Sequence, residues 1–195
     1  MRMDKKEEIL NAAAALFAAE GCAFSMSALA QAVNIRTPSL YSHFESKEQL
    51  LALVIRRAIA ECRASLERFA RAQAGQPAGA RLEALFWHLL GYFGEDSRLG
   101  LWKNMMLVNE PTLRTLCLEE LLKQNAWFTR RLTRCFRDGA HSGELRRADR
   151  GAVALYYSMI QGLLDVMLLS RGGGFNFDAY AHRAWDAFWD GVRAR

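Results

Sequence analysis

Residues 25–50, SMSALAQAVNIRTPSLYSHFESKEQL, contain two short amphipathic segments separated by a turn and followed by the start of a longer helix. In the first segment the apolar residues recur at helical spacing and predict one buried face, at Met26, Leu29, Ala30 and Val33. Ser25 precedes this face and can accept from the free N–H groups that open a helix. Asn34 follows it and tolerates the left-handed conformation that a sharp reversal requires.

The second segment, residues 37–44, predicts a short helix with one apolar and one polar side. Thr37 is predicted to cap it, and Pro38 occupies the first turn, where a missing N–H costs nothing. Leu40 and Phe44 are four residues apart and are predicted to face inward, which leaves a polar side of Arg36, Thr37, Ser39, Ser42 and His43. The sequence SKEQ at residues 46–49 is a capping box and predicts the start of a third helix.

Two short helices, a tight turn and a polar outer face are what a helix-turn-helix needs to enter the major groove of DNA. Spacing alone leaves an alternative open, because an ordinary helical hairpin that binds nothing has the same pattern.

The individual residues narrow this choice. Leu29-Ala30, PSLYSHF at residues 38–44 and ESKEQL at residues 45–50 resemble the DNA-binding domain of the TetR (tetracycline-repressor-like) family. The resemblance covers roughly residues 4–55, and the sequence departs from it at Asn34 and Thr37. Many members have Gly at the first position and Lys or a small residue at the second, so the departures concern the operator sequence.

The resemblance implies a role for each matching position. Positions that face base edges in the family are occupied here by Arg36, Thr37, Pro38, Ser39 and Ser42. Positions that contact phosphates are occupied by Ser25, Ser27, Tyr41, His43 and Lys47. Arg36 is the best direct reader, since its guanidinium can bond guanine O6 and N7 together. For His43 the alternative is that the ring packs beside Phe44.

The whole chain reads as all-α. It has 195 residues, only three prolines and long runs of 3.6-residue periodicity. We predict an N-terminal three-helix helix-turn-helix DNA-binding domain over residues 1–50, a linking helix over residues 47–73, and a C-terminal helical bundle for ligand binding and dimerisation over residues 51–195. Aspartates at helix starts predict N-caps at Asp4, Asp149 and Asp178.

The net charge of +5 is not evidence for DNA binding. Residues 1–50 contain five basic and six acidic side chains, so this segment carries −1 and the rest of the chain carries +6. A DNA contact therefore needs a local basic face that includes Arg36 and Lys47, with helix N-termini directed at phosphates.

Large, soft side chains between residues 82 and 136 predict a ligand pocket. The candidate pocket residues are Trp87, His88, Phe93, Trp102, Met105, Met106, Gln124, Trp127 and Phe128, with Asn104 as a further polar group. Plain core packing is the alternative for each one of them, and the resemblance favours a pocket for a small hydrophobic effector.

The last two predicted helices have more apolar surface than one layer covers, which predicts a homodimer. The predicted interface contains Tyr157, Ile160, Leu164, Met167, Leu168, Ala181, Trp185, Phe188 and Trp189. A dimer would place two reading helices about 34–36 Å apart, one turn of DNA. A monomer with a well-buried bundle is the alternative.

The sequence gives little support for a redox sensor, a membrane protein, a metalloprotein or an enzyme. The four cysteines show no CxxC spacing, and no secretory signal is expected, so the thiols are predicted to be core residues of a cytoplasmic protein, with a redox sensor as the alternative. Residues 151–170 are apolar enough to cross a membrane, but Asp165 makes a buried helix the better interpretation. The four histidines form no metal motif, and we predict no cofactor and no catalysis.

Together these observations predict a dimeric, ligand-responsive transcriptional regulator, which the resemblance makes a repressor released from a palindromic operator by a small apolar effector. Two alternatives remain. One is a DNA-binding regulator without a ligand pocket, and the other is a helical small-molecule-binding protein or enzyme that does not bind DNA.

Overall fold

A computed structural model describes residues 4–146, 150–170 and 173–194. The described residues form nine α-helices and a short 3-10 turn at Gly21–Ala23. The helices are α1 (Lys5–Glu20), α2 (Met26–Ala32), α3 (Thr37–Tyr41), α4 (Lys47–Ala72), α5 (Ala78–Phe93), α6 (Asp96–Met106), α7 (Pro111–His141), α8 (Arg150–Leu169) and α9 (Phe177–Val192). The all-α prediction is confirmed.

The chain divides into two compact units, Met1–Ala64 with Glu95–Gln124, and Ser65–Gly94 with Asn125–Arg195. The division falls inside α4 and inside α7, so each of these helices contributes residues to both units. The first unit includes α6 in addition to the helix-turn-helix segment. The predicted boundary near residue 50 remains a prediction.

The core of the first unit forms where α1, α2, α3 and α4 meet. Phe17, Leu29, Leu40, Phe44 and Leu50 are buried there, with at most 1% of each side chain exposed. Apolar residues of α6 and the start of α7 complete this core, at Leu101, Met105, Leu113 and Cys117. Burial of several large side chains, each contributing about 1.5–3 kcal/mol, offsets the entropy of ordering helices as short as α2 and α3.

Helix α6 packs closely on α1. A Cβ atom on Gly100 would lie 2.5 Å from the carbonyl oxygen of Ala18, so only glycine allows this approach. One turn later, the side-chain amide of Asn104 donates to the carbonyl oxygens of Phe17 and Ala18, at 2.8 and 3.0 Å. Both carbonyls lie in the last turn of α1, and that of Phe17 also accepts from the N–H of Gly21, which ends the helix. The contact fixes α6 to the helix that braces the helix-turn-helix.

An aromatic cluster forms the core of the second unit. Tyr156 on α8 is fully buried, and its ring meets those of Phe136 and Phe188 edge to face. Its hydroxyl donates to the carbonyl oxygen of Leu82 at 2.8 Å, which satisfies the one polar atom in the cluster's centre. Burial raises the pKa of Tyr156 well above its ordinary value, so the phenol stays protonated.

The turn after α7 connects three helices of the second unit. The carboxylate of Glu144 accepts from the backbone N–H groups of Ala78 and Gly79, at 3.2 and 2.9 Å, and so caps the start of α5. The guanidinium of Arg146 donates to the carbonyl oxygens of Asp190 and Arg193, both at 2.7 Å, at the end of α9. The turn thus places a negative group at one helix start and a positive group at another helix end, as helix dipoles favour.

Helix α8 is the one described helix long and apolar enough to span a membrane. Six of its residues are buried within the second unit, namely Ala152, Val153, Tyr156, Ile160, Leu163 and Leu164. It is therefore a core helix, as the position of Asp165 indicated.

Most helix starts and ends agree with the sequence, and two caps differ. The Asp4 side chain caps α1, accepting from the N–H of Lys6, and Gly21 ends that helix. Arg36 rather than Thr37 is the N-cap residue of α3, and it makes no side-chain capping bond. The side chain of Asn176 rather than Asp178 caps α9, by accepting from the N–H of Ala179 at 2.9 Å. Asp149 lies outside the described residues.

We predict that Glu144→Ala lowers the free energy of unfolding at pH 7 by about 1 kcal/mol, because the α5 N–H groups lose their acceptor. The bonds from Gly79, Ser142 and Ala78 hold the pKa of Glu144 below its ordinary value of 4.5. A carboxyl with a depressed pKa stabilises the folded state above its unfolded pKa and loses this effect as the pH falls through its folded pKa.

Urea unfolding of the parent and Glu144→Ala at pH 7 and near pH 3 measures this difference, which should shrink at the lower pH. Glu119→Ala is a matched control, since this α7 carboxylate approaches only Lys123, at 3.9 Å, on the surface. An equal loss of stability in both variants, or a difference that does not change with pH, would contradict the capping role.

Candidate nucleic-acid interface and ligand cavity

The turn between α2 and α3 has the predicted left-handed residue. Asn34 has φ 53° and is the only described non-glycine residue with positive φ. The N–H of Ile35 donates to the carbonyl of Ala30 at 2.9 Å, which closes the turn. The ammonium of Lys5, from α1, donates to the carbonyl of Val33 at 3.2 Å and satisfies the end of α2. The angle between the two helices is therefore fixed by backbone bonds and by α1.

Helix α3 lies with its apolar side inward and its polar side in solvent. Leu40 and Phe44 are 0% and 1% exposed. The opposite side is exposed at Arg36, Pro38, Ser39, Ser42 and His43, with Thr37 half-buried and Tyr41 51% exposed. Four of the five residues predicted to read bases, Arg36, Pro38, Ser39 and Ser42, are therefore exposed, and we call this side of α3, together with His43, the α3 face.

Arg36 is the arginine of the α3 face. It is exposed, and its side chain does not cap the helix that it precedes. Ser42, in contrast, donates to the carbonyl of Ser39 at 2.7 Å, so its hydroxyl is held close to the helix. A guanidinium has five donors and an unchanging positive charge, and it suits a guanine edge or a phosphate.

Two serines of the interface lie at the start of α2. Ser25 is exposed and accepts from the N–H of Ala28 at 3.0 Å, which makes it the N-cap of α2. Ser27 is exposed in the first turn. Helix N-termini attract anions, so the start of α2 offers N–H groups and hydroxyls to a phosphate.

Lys47, at the start of α4, has an internal role that spacing did not indicate. Its ammonium donates to the carbonyl oxygen of Cys22 at 2.6 Å and also to that of Phe24, and it lies 4.5 Å from the centre of the Phe24 ring. It therefore joins α4 to the segment before α2. Two of its three N–H donors are used in this way, and its charge and third donor remain for a phosphate.

The exposed Lys6 is a candidate that sequence reasoning missed. Its ammonium lies 5.7 Å from the centre of the Phe44 ring, beneath α3. It brings α1 to the same surface as His43, whose ring centre is 6.4 Å from that of Phe44. Residue spacing gave no signal for Lys6, because α1 and α3 are far apart in the chain and meet only in the fold.

The candidate pocket residues separate into two groups. Met105 is buried in the core of the first unit, Trp102 packs against that core, and Met106 is 48% exposed. Gln124 is buried and accepts from Arg63 at 3.0 Å. Asn104 is engaged with α1. This group lies in the first unit, and its contacts are internal ones.

The remaining candidates lie in the second unit, and two of them line a cavity. Trp127 and Phe128, on α7, face a cavity of about 360 Å³. Phe93 is buried, and Trp87 packs between the rings of Phe86 and His182. His88 stacks on Phe69, which lines the same cavity, and burial lowers the pKa of His88, so the ring is neutral at pH 7.

The cavity lies between the end of α4, the start of α5 and the middle of α7. Its wall contains Leu66, Phe69, Ala70, Gln73, Ala74, Gly75, Arg81, Leu85, Trp127, Phe128, Arg131, Leu132, Arg134 and Cys135. A cavity of this size with mostly apolar walls and a few polar groups is typical of a small-molecule site. Sequence reasoning missed most of these residues, since the end of α4 was interpreted only as a link.

The predicted dimer residues also divide by exposure. Ile160, Leu164, Ala181, Trp185 and Phe188 are buried within the subunit. Tyr157, Met167 and Trp189 are half-buried, and Leu168 is 39% exposed. Trp189 packs on Gly79, where a Cβ atom would lie 2.5 Å from the indole ring. The apolar surface left on α8, α9 and the segment between them is at Leu155, Leu168, Leu169, Phe175 and Tyr180.

The four cysteines are free thiols. Burial raises the pKa of Cys62, Cys117 and Cys135 to about 11, and burial also raises that of Cys22. Thiols with raised pKa values are weak nucleophiles and weak metal ligands at pH 7. Their environment favours the core interpretation over the redox sensor.

Comparison with known families gives a match at residues 9–54, to the family described as bacterial regulatory proteins, tetR family. The matched segment contains α2, the turn, α3 and the start of α4. A comparison with curated proteins gives no match.

Solved structures share the fold over the full length. A regulator from Saccharomonospora viridis in complex with choline has a TM-score of 0.77 at 21% identity, over 97% of this chain and 98% of that one. A TetR-family regulator from Agrobacterium tumefaciens has a TM-score of 0.75 at 21% identity, over 97% and 98%. The ketosteroid regulator KstR2 of Mycobacterium tuberculosis has a TM-score of 0.71 at 20% identity, over 100% and 98%.

These structures share the fold of this protein, and the family match falls on the segment that presents the exposed α3 face. Residues 9–54 are thus similar to bacterial regulatory proteins of the tetR family, and the chain as a whole has the fold of solved TetR-family regulators.

Proposed function

We propose that this chain is a TetR-family, DNA-binding transcriptional regulator, and that it acts as a homodimeric repressor that a small effector releases from a palindromic operator. The observation that supports the DNA part most directly is the α3 face, where Arg36, Ser39 and His43 are exposed above the buried Leu40 and Phe44. We therefore place the protein in the cytoplasm, the compartment that contains the operator DNA.

Within this interface the α3 face reads bases and its surroundings hold phosphates. Arg36 extends from the α3 N-terminus toward a guanine, and Thr37, Pro38, Ser39 and Ser42 complete the base-facing set. We propose that Ser25, Ser27, Tyr41, His43 and Lys47 contact phosphates, together with Lys6, whose ammonium lies 5.7 Å from the centre of the Phe44 ring. Contacts to phosphate give affinity for any sequence, and contacts to base edges give specificity.

The cavity beside Trp127 and Phe128 supports effector binding. The Saccharomonospora viridis regulator, a structural neighbour, was solved with choline. For this chain a different ligand is expected, because the charged side chains of the described cavity lining are arginines, which would repel a quaternary ammonium.

Helix α4 supplies a path for the coupling. Leu66, Phe69 and Ala70 line the cavity, and Leu50, Leu51, Val54 and Ile55 of the same helix are buried in the core cluster that also contains Leu29 and Leu40. Helix α6 is fixed to α1 by Asn104 and Gly100. We propose that the effector favours an arrangement of these helices in which the two α3 faces of a dimer no longer match one duplex. The effector must prefer that state for any release to occur.

We predict that Arg36→Ala lowers affinity for the operator by about 1–3 kcal/mol and relaxes specificity at one base pair. Lys47→Ala is expected to weaken binding to all DNA sequences and to reduce the slope of log K against log salt by about one unit. Because the Lys47 ammonium also donates to the carbonyl oxygens of Cys22 and Phe24, the free energy of unfolding of the Lys47→Ala protein should be lower than that of the parent.

Fluorescence anisotropy with the DNA upstream of the chain's own gene, at several salt concentrations, measures both effects. Arg114→Ala, an exposed α7 arginine outside the proposed interface, is the control. An Arg36→Ala protein that retains full operator affinity, or a Lys47→Ala protein with an unchanged salt slope, would count against these roles.

We predict that an effector found by thermal stabilisation and tryptophan fluorescence lowers operator affinity, and that operator DNA lowers effector affinity by the same factor, since linkage is reciprocal. Asn104→Ala should retain effector binding and reduce this factor, because α6 loses its bond to α1. Calorimetry with and without operator DNA gives both affinities. Independent binding of effector and DNA by the parent protein would rule out ligand-controlled release.

We predict that the 22.1 kDa chain sediments as a dimer at micromolar concentration and that Leu168→Glu shifts it toward the monomer, because a charge would be buried in the interface. Leu122→Glu is the control, since this α7 leucine is exposed but lies outside α8 and α9. A parent protein that sediments only as a monomer would refute the dimer. Equal effects of Leu168→Glu and Leu122→Glu would contradict an interface at Leu168.

A further inference from the structure

The lining of the α4–α5–α7 cavity combines a long apolar wall with three guanidinium groups, from Arg81, Arg131 and Arg134. We propose that the cavity binds an amphipathic anion, a molecule with an apolar body and a single carboxylate or phosphate head. This inference rests on the proposed effector role of the cavity and specifies the chemical class of the effector.

The charged side chains on the described wall of the cavity are all positive. Within the described lining no aspartate or glutamate is present, so the three arginines are the only charged groups on the wall. An anion in the cavity would meet guanidinium donors on the described wall, and bonds of this kind are about twice as strong as those between neutral groups. An uncharged ligand would leave these donors to water.

The three arginines differ in how far the protein already engages them. Arg81 donates to Asp138 at 2.9 Å. Arg131 is 3.9 Å from Glu67, and its guanidinium lies over the Trp127 ring at 4.6 Å. Arg134 is exposed and makes no ion pair with any described residue. Arg134 and Arg131 therefore have donor capacity for a ligand head, while Arg81 is oriented by its own partner.

The end of α4 does not explain why the arginines are there. Its final carbonyls would attract cations, but those of Phe69 and Arg71 already accept from the N–H groups of Gln73 and Ala74, at 3.0 and 3.2 Å. The guanidiniums are not required by these two carbonyls, and a bound anion would complement the donors that Asp138 and Glu67 do not use.

The apolar part of the wall defines the rest of the ligand. Leu66 and Phe69 from α4, Leu85 from α5, and Phe128 and Leu132 from α7 form a continuous surface. A volume of about 360 Å³ is far larger than an inorganic ion needs and is at the lower end of the range for drug-sized ligands. The cavity therefore fits a chain or ring system that carries the anionic head.

Probes that share one tail and differ in the head test the inference. Dodecanoate, dodecyl phosphate, dodecanol and dodecyltrimethylammonium, each below its critical micelle concentration, are titrated into the full-length protein by calorimetry and thermal unfolding. Both anions are expected to bind about tenfold or more tightly than dodecanol, and the cation more weakly than dodecanol. A preference between the two anions would distinguish a carboxylate from a phosphate effector.

Variants locate the binding site. Arg134→Gln and Arg131→Gln should each lower the affinity for dodecanoate about tenfold while changing that for dodecanol less than about twofold. Arg130→Gln is the matched control, because this exposed α7 arginine does not line the cavity. Ala70→Phe fills the cavity from α4 and should reduce binding of every probe, while all variants retain the helical spectrum of the parent.

The outcomes separate this inference from the proposed function. Anion selectivity that Arg134→Gln abolishes supports the ligand class, and if such binding leaves operator affinity unchanged, only effector-controlled release fails. Equal binding of dodecanoate and dodecanol, preference for the cation, selectivity that survives both arginine variants, or no binding of any probe would overturn the ligand class.

Discussion

The proposed DNA-binding surface depends on the burial of Leu40 and Phe44. Helix α3 has five residues, and a helix of that length has almost no stability of its own in water. It exists because these two side chains are covered by α1, α2 and α4 while its backbone is held by the Asn34 turn. The same burial determines which residues remain outside. A rotation of α3 by one residue would move Arg36 and Ser39 away from the exposed face and bring a hydroxyl into the core.

Local chemistry made the helix-turn-helix predictable from sequence. The spacing of Leu40 and Phe44, the left-handed Asn34 and the capping serines Ser25 and Ser46 each act within a few residues, and the structure contains all of them. Lys47 and Glu144 were not predictable in this way. Each side chain binds backbone groups more than twenty residues away, and no pattern within one helix records such a partner.

The longer helices show a second reason why sequence alone does not predict the whole structure. Periodicity finds an apolar face but does not say what covers it, so Met105, Trp127 and Trp185 look alike in the sequence. In the structure Met105 belongs to the first core, Trp127 faces a cavity, and Trp185 packs in the second core. The cavity also depends on residues that are unremarkable in sequence, such as Ala70 in the last turn of α4 and Gly75 just after that helix. Empty space is a property of several helices together, and a single helix does not encode it.

The approach of α6 to α1 is made by main-chain atoms, with the α-carbon of Gly100 against the carbonyl of Ala18. Main-chain atoms are the same in every residue, so their separation does not vary with side-chain size or rotamer. Other contacts in the first unit can be retuned by exchanging one aliphatic residue for another, but this one has no adjustable part. The distance between α1 and α6 at this point is therefore fixed. A change in how α6 moves when an effector binds has to come from residues beside Gly100 and Ala18.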